Sequence, residues 1–486
     1  LALSKLKLLA KDSLYYGISG IVSRMIVVFL VPVYTRIFEP ADYGVLNLIN
    51  TTFFLLGIVS FCALDSAVGR WFYDSSEEEE RKKTFASWFW FQFSFTLILI
   101  AGLLFSVSFF ANQVINVDVK HLRPIWFLAC ATLITNILPS VIWNWYRLNR
   151  KPKPTLLFTI SQSLLTVTLT IVFVVVLKMG LFGVYLALFT SSLTFSIIAL
   201  TQIHSWLKVS YFNVKRIKEM LRYSLPMIPA AAAFWLINSA GTYFLRFLKG
   251  DHKEIGLFAV GVTVASGVSL FTGAFQQAWG PFAFSIINEP DAKKTYANVF
   301  FIFGVLSSVV ILTMFLFSPE ILEVFTTSQY VDSSWVASIL SVNIILIAFT
   351  YIASIGPSIV KNSVFYSVGV MIASAVTILL YIWFIPLWGK EGAALATVLA
   401  QLIVPVFLFL KGQKLYPIPY DFTRVAVFLL AAVAIGVLIR LIPFTTTTTA
   451  IQIKILALLC FIMAALLYIR VVLKVPLRFR QVRVLS

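Results

Sequence analysis

Apolar runs of about 20 to 26 residues, parted by short clusters of charge, fill this chain of 486 residues from end to end. One helix needs roughly 20 apolar residues, at 1.5 Å rise each, to cross a hydrocarbon core. Backbone groups in lipid must pair within their own segment, so such runs predict transmembrane helices. The short alternating segments of a membrane β-barrel are missing. Charged residues make up 12% of the chain, against roughly 25% in a soluble globular protein. Counting runs between charge clusters predicts about fourteen spans, near 13–38, 44–73, 84–111, 124–146, 155–177, 181–204, 223–248, 255–287, 295–317, 333–360, 363–388, 390–410, 422–442 and 450–473. The expected fold class is therefore all-α and polytopic. The first run is too long for a removable signal peptide and lacks a small-residue cleavage site.

A net charge of +18 invites a nucleic-acid partner, but its distribution argues against one. Of the 38 Lys and Arg, 26 fall on the side that holds the N-terminus and 9 on the other. Arg24, Arg70 and Lys454 fall within spans. Lys and Arg accumulate on the cytoplasmic side of a membrane, so both termini are expected in the cytoplasm. The basic surface then reads as a topology signal and a contact for anionic membrane lipids. Loops on the opposite side are about fifteen residues or fewer, too short for a catalytic domain. Cys62, Cys130 and Cys460 all fall in spans, and His121, His204 and His252 are scattered. That pattern predicts neither a disulfide framework nor a metal site; no cofactor and no catalytic residue are expected.

The chain repeats itself at an offset of about 210 residues. Thr35-Arg36-Ile37-Phe38 leading to Gly44-Val45-Leu46 is matched by Leu245-Arg246-Phe247-Leu248 leading to Gly256-Leu257-Phe258. Lys82-Lys83-Thr84-Phe85 is matched by Lys293-Lys294-Thr295-Tyr296, and Arg150-Lys151 by Lys361. Gly180 to Ala187 is matched by Gly389 to Ala396. Each unit holds six spans, an even number, so the two are parallel and related by an axis along the membrane normal. Paired bundles of this kind place a substrate site at their interface and rock around it. The expected organisation is an N-terminal lobe over 1–204, a linker over 205–222, a second lobe over 223–412, and two further helices with a basic tail over 413–486. Within 205–222 apolar and basic residues alternate at helical spacing, as expected of a helix lying in the membrane interface. Such a linker serves either as a hinge that regulates rocking or as a plain tether.

Several segments resemble the Wzx-type polysaccharide flippases of the multidrug/oligosaccharidyl-lipid/polysaccharide superfamily. They are Pro32-Val33-Tyr34-Thr35-Arg36 with Asp42-Tyr43-Gly44, and Leu64-Asp65-Ser66-Ala67 followed by Arg70-Trp71-Phe72. Gln276 to Phe282, Ser318-Pro319-Glu320-Ile321-Leu322 with Tyr330, and Gly389 to Thr397 complete the set, which spans roughly residues 10–412. The resemblance implies a two-lobed, V-shaped bundle with a central cavity. It also implies an undecaprenyl-diphosphate-linked oligosaccharide as cargo, moved from the cytoplasmic to the outer leaflet by alternating access. The two extra helices are also similar to those of the lipid II flippase branch, where such a pair forms a groove for the lipid tail; plain lipid-facing packing is the alternative here.

An ionisable residue at mid-membrane costs a few kcal/mol, so it is expected to line a cavity or hold a partner. Arg24 lies eleven residues past Ser13, roughly 16 Å along the helix axis. Its planar fork of donors suits the diphosphate or the adjoining sugar; an ion pair with Asp65 is the structural alternative. Asp65 is a candidate carrier for a coupling cation, H⁺ or Na⁺, or else that partner. Arg70 lies nearer the cytoplasmic mouth, placed to meet substrate early or to reach lipid phosphate. Arg36 and Arg246 are repeat equivalents and read as anchors. Asn238, Gln276 and Gln277 occupy the second-unit counterparts of spans 1 and 2; they can bind sugar hydroxyls or bond helix to helix. Glu77 to Glu80 before Arg81-Lys82-Lys83 predicts ion pairs four residues apart at an exposed helix end. The rival transporter is a cation-coupled exporter of drugs or metabolites on the related fold. A membrane glycosyltransferase or polymerase would need a large outward loop or an acidic metal-binding motif, and neither is in the sequence.

Overall fold

The computed structural model of the protein describes residues 29–360, 364–444 and 446–473. Arg24 and most of the expected span 13–38 lie outside the described residues. The end of that span is a helix, α1, over 29–37. Next come α2 (Pro40–Phe61), α3 (Leu64–Asp74) and α4 (Glu78–Phe105), the last continuing through the short α5 (Val107–Phe109) and a π-helical turn over Phe110–Ile115. The first half closes with α6 (Val119–Thr135), α7 (Ile137–Leu148), α8 (Pro152–Thr170) and α9 (Gly180–Ile203). The linker helix α10 (Val214–Ser224) leads into α11 (Ile228–Ser239), α12 (Gly241–Leu248), α13 (His252–Ser266), α14 (Ser269–Ser285) and α15 (Ala292–Phe325). There follow α16 (Ser334–Ala353), α17 (Ile355–Ile359), α18 (Val364–Leu415), α19 (Phe422–Leu441) and α20 (Thr447–Leu473).

Among the described residues, eleven helices are long and apolar enough to cross a membrane, or twelve with the bent pair α13–α14 taken as one crossing. The longest, α18, has 52 residues and would run about 78 Å if straight, far beyond a hydrocarbon core of roughly 30 Å. It folds back at Gly389, whose backbone is non-helical at φ 55° and ψ −127°. Tyr381 Oη lies 2.9 Å from Thr397 Oγ1, and Gly369 packs on Phe407, pairs centred on that glycine. Counting α18 twice therefore raises the twelve crossings to thirteen. The fold is an all-helical, polytopic membrane bundle.

The internal repeat is visible as recurring breaks. Between α2 and α3, Cys62 and Ala63 take the left-handed conformation at φ 49° and 51°. The matching crossing breaks between α13 and α14, with a bend of 47°, at an offset of 205 residues from Leu64 to Ser269. A second pair of breaks falls at Asn136 and Ser354. A broken helix frees backbone groups that lipid cannot satisfy, so such breaks are confined to surfaces covered by protein or facing a water-filled cavity.

The linker is strapped to the first half. Helix α10 turns Ile217, Met220 and Ser224 inward at helical spacing, against α3 and α4. Arg216 pairs with the Glu80 carboxylate and donates from Nη1 to Glu80 O at 3.0 Å and Thr84 Oγ1 at 2.8 Å. Trp90 Nε1 donates to Leu207 O at 2.9 Å. The ion pairs expected at the start of α4 are present, Lys82–Glu78 at 2.6 Å and Lys83–Glu79 at 3.4 Å. Arg216→Ala is expected to release this strap, read as faster tryptic cleavage at Lys208 and Lys215 in the folded protein; an unchanged cleavage rate contradicts the role assigned to Arg216.

Helices α19 and α20 dock along α15. Val425 fits over Gly304, and Phe315 fits over Gly436. Arg440 lies 3.8 Å from the Trp335 ring centroid and donates from Nη1 to Ser318 and Ser338 at 3.3 and 3.2 Å. Lys454, 7% exposed, holds Glu320 Oε1 at 2.5 Å. Lys454→Met would strand that carboxylate, at a cost of about 1–3 kcal/mol. The expected result is a lower melting midpoint in detergent, with Glu320→Gln on the same background recovering part of it.

Candidate functional site

The two halves meet at one end of the bundle. Opposite the basic loops, α2 crosses α13 with backbone against backbone. A Cβ on Gly44 would sit 2.1 Å from His252 O, and one on Gly256 would sit 1.8 Å from Pro40 O. Only glycine at both positions permits this approach. These two residues are repeat equivalents, so the crossing lies at the pseudo-twofold axis. Thr242 Oγ1 donates to Asn47 Oδ1 at 2.8 Å, and Thr52 Oγ1 lies 2.5 Å from Tyr243 Oη. His252 Nε2 donates to Ile115 O at 2.5 Å, and Tyr330 Oη donates to Phe38 O at 2.8 Å. Lys390 bridges Glu254 at 3.2 Å just behind.

Packing is one-sided in the same sense. The core that joins the halves runs through Leu48, Trp126, Leu245 and Phe258, with Tyr43 stacked edge-on to Tyr330 beside it. Toward the basic end, buried residues pack within one half: Phe72, Trp88 and Ile142 in the first, Phe300 and Phe349 in the second. The seam is thus shut at the far end.

Candidate residues fall into distinct settings. Asp65 is half-buried in the first turn of α3, directly after the break. A carboxylate is stabilised there by the helix dipole, a structural use that spacing alone does not reveal. Arg70, on the same short helix, is exposed and lies 5.6 Å from the Trp71 ring centroid and 5.1 Å from that of Tyr223. Asn238 accepts at Oδ1 from Asn343 Nδ2 at 3.0 Å and donates to Phe234 O, a helix-to-helix bond between α11 and α16. Gln276 and Gln277 on α14 have no hydrogen-bond partner among the described residues. Arg36 is exposed, and Arg246 is half-buried on α12. Tyr223, Asn343 and the Gly44–Gly256 contact were absent from the candidates drawn from the sequence. The glycines carried a signal, since each opens a matched repeat segment.

Residues 9–287, more than half of the chain, match the family model described as polysaccharide biosynthesis protein. The chain belongs to this family. No curated protein matches the sequence. Among solved structures, the fold is similar to that titled lipid II flippase MurJ, inward closed conformation, at 17% identity and a TM-score of 0.67, covering 95% of this chain and 100% of that one. It is similar to a multidrug resistance MATE family transporter of the MOP superfamily in an inward-facing conformation, at 15% identity and a TM-score of 0.64. That match covers 86% of this chain and 95% of the other. An outward-facing MATE family transporter matches at 15% identity and a lower TM-score of 0.53, over 86% and 96%. The protein is a polytopic membrane protein of this fold within the polysaccharide biosynthesis family.

Proposed function

We propose that the protein flips an oligosaccharide linked to a polyprenyl diphosphate from the cytoplasmic to the outer leaflet. The observation that carries this reading is the one-sided seam in a member of the polysaccharide biosynthesis family. A glycan and a diphosphate cannot cross hydrocarbon unaided, because each charge at mid-membrane costs several kcal/mol. Two lobes hinged at one end leave a slot at the other. The polar head enters between the lobes while the lipid tail stays in the bilayer. Closing the open end and parting Gly44 from Gly256 then releases the head on the far side.

The basic end is assigned to the cytoplasm from its excess of Lys and Arg, which places both termini there and the seam at the outer face. Residues 1–204 and 223–412 act as the rocking bodies, 205–222 joins them, and 413–486 moves with the second. Arg24 and Arg70 recognise the diphosphate, Gln276 and Gln277 face the glycan, and Asp65 is the candidate for a coupling H⁺ or Na⁺. Asn238 serves the second lobe through Asn343.

Reconstitution tests this. In vesicles loaded with a polyprenyl-diphosphate glycan, an impermeant glycosidase added outside should digest the whole pool when the protein is present. Digestion limited to the outer-leaflet share, with and without protein, counts against flipping.

A further inference from the structure

The proposed substrate path gains a component from the linker. Four arginines among the described residues lie over an aromatic ring: Arg70, Arg81, Arg147 and Arg440. Three are already occupied. Arg81 gives Nε to Phe72 O and Ser75 O at 3.1 and 3.0 Å, Arg147 donates to Asn144 Oδ1 at 2.7 Å, and Arg440 donates to serines. Arg70 is held by Trp71 and by Tyr223, yet none of its N–H groups has a partner among the described residues. The two rings also pack edge to face, 5.6 Å between centroids.

A cation–π contact holds a guanidinium through its charge and does not require its N–H donors, which stay available. Those donors match two phosphate oxygens. On α3 the buried residues Leu64, Ala67, Val68 and Phe72 turn into the first half, whereas Ser66, Arg70 and Tyr73 are exposed on the other face. The helix continues the crossing that forms the seam, and it begins at the break after Phe61. One of the two rings belongs to a different element. Tyr223 lies in the last turn of α10, which Arg216 and Glu80 hold in place and which runs on into the second half through α11.

We propose that Arg70, Trp71 and Tyr223 form an entry site for the diphosphate head of the substrate, with Tyr223 as its positioning residue. The linker is then part of the binding site, and movement of α10 changes how firmly the guanidinium is held. This rests on the flippase reading above.

The test uses the full chain in detergent, with farnesyl diphosphate, farnesol and phosphatidylglycerol as separate probes. Arg70→Gln should weaken farnesyl diphosphate binding by roughly ten- to a hundredfold, the share of a charge-assisted pair of hydrogen bonds. Farnesol binding should not change. Tyr223→Leu should weaken the diphosphate by about two- to fivefold, and Tyr223→Phe, which restores the ring, should recover it. Thermal midpoints of all variants report folding. Undiminished diphosphate binding in Arg70→Gln overturns the entry site alone. An equal loss for phosphatidylglycerol assigns Arg70 to lipid head groups and also overturns it. A wild-type protein that binds farnesol and farnesyl diphosphate alike overturns the entry site and the flippase reading together.

Discussion

Gly256→Ala is expected to stop transport and to open the seam between α2 and α13. The added Cβ would stand 1.8 Å from Pro40 O, and the obstacle is backbone, so no rotamer change relieves it. The helices must part by more than an ångström, which also stretches the Thr242–Asn47 and His252–Ile115 bonds on either side. Overpacking of this kind costs about 1–3 kcal/mol, enough to shift a two-state equilibrium by roughly five- to 150-fold. The closed-seam state should therefore lose most of its population. In a cysteine-free background, Asn47→Cys should react with an impermeant maleimide much faster when Gly256→Ala is present. Gly57→Ala supplies the control: it lies on α2, the helix of Asn47, and a Cβ there meets nothing within 4 Å. It should leave transport intact and strengthen the helix by about 0.5–1 kcal/mol. Equal labelling and equal transport in Gly256→Ala and Gly57→Ala contradict the gate assigned to this crossing.

Arg24→Ala is expected to lower flipping by at least about a hundredfold while folding and insertion stay normal. The sequence puts Arg24 eleven residues past Ser13 in the expected span 13–38, and a charge inside a span costs a few kcal/mol unless it has a partner. The diphosphate head supplies about two negative charges, and a bidentate guanidinium contact is among the stronger polar contacts a protein makes. Arg24→Lys keeps the charge but loses the planar fork, so it should fall between the two. Wild-type flipping by Arg24→Ala removes that residue from the mechanism. An equal loss in Asp65→Asn, suppressed in the double variant, points instead to a structural pair between them.

Much of the bundle was legible in the sequence because lipid imposes strict rules on length and charge. The break at Gly389 is an example: 363–388 and 390–410 are each one membrane thickness long, and the structure folds back at the glycine between them. The repeat was legible too, through segments such as Gly44-Val45-Leu46 and Gly256-Leu257-Phe258. What those glycines do was not, because repeat equivalence does not say that two copies touch. The strap from Arg216 to Glu80 joins residues 136 apart, and nothing local marks it. Arg440 reads as a loop charge at the end of its span, whereas the structure turns it inward onto Trp335 and three serines. Asn238 shows the converse limit, since a polar residue in a span serves a helix contact as readily as a ligand, and here it meets Asn343.

The most direct measurement is the sidedness of the diphosphate-linked glycan in cells depleted of the protein. The account predicts that the intact lipid-linked glycan accumulates on the cytoplasmic leaflet, shielded from an impermeant glycosidase, and that its mass identifies the cargo. Normal exposure on the outer leaflet after depletion would contradict the flippase function and favour cation-coupled export of a drug or metabolite by the same fold.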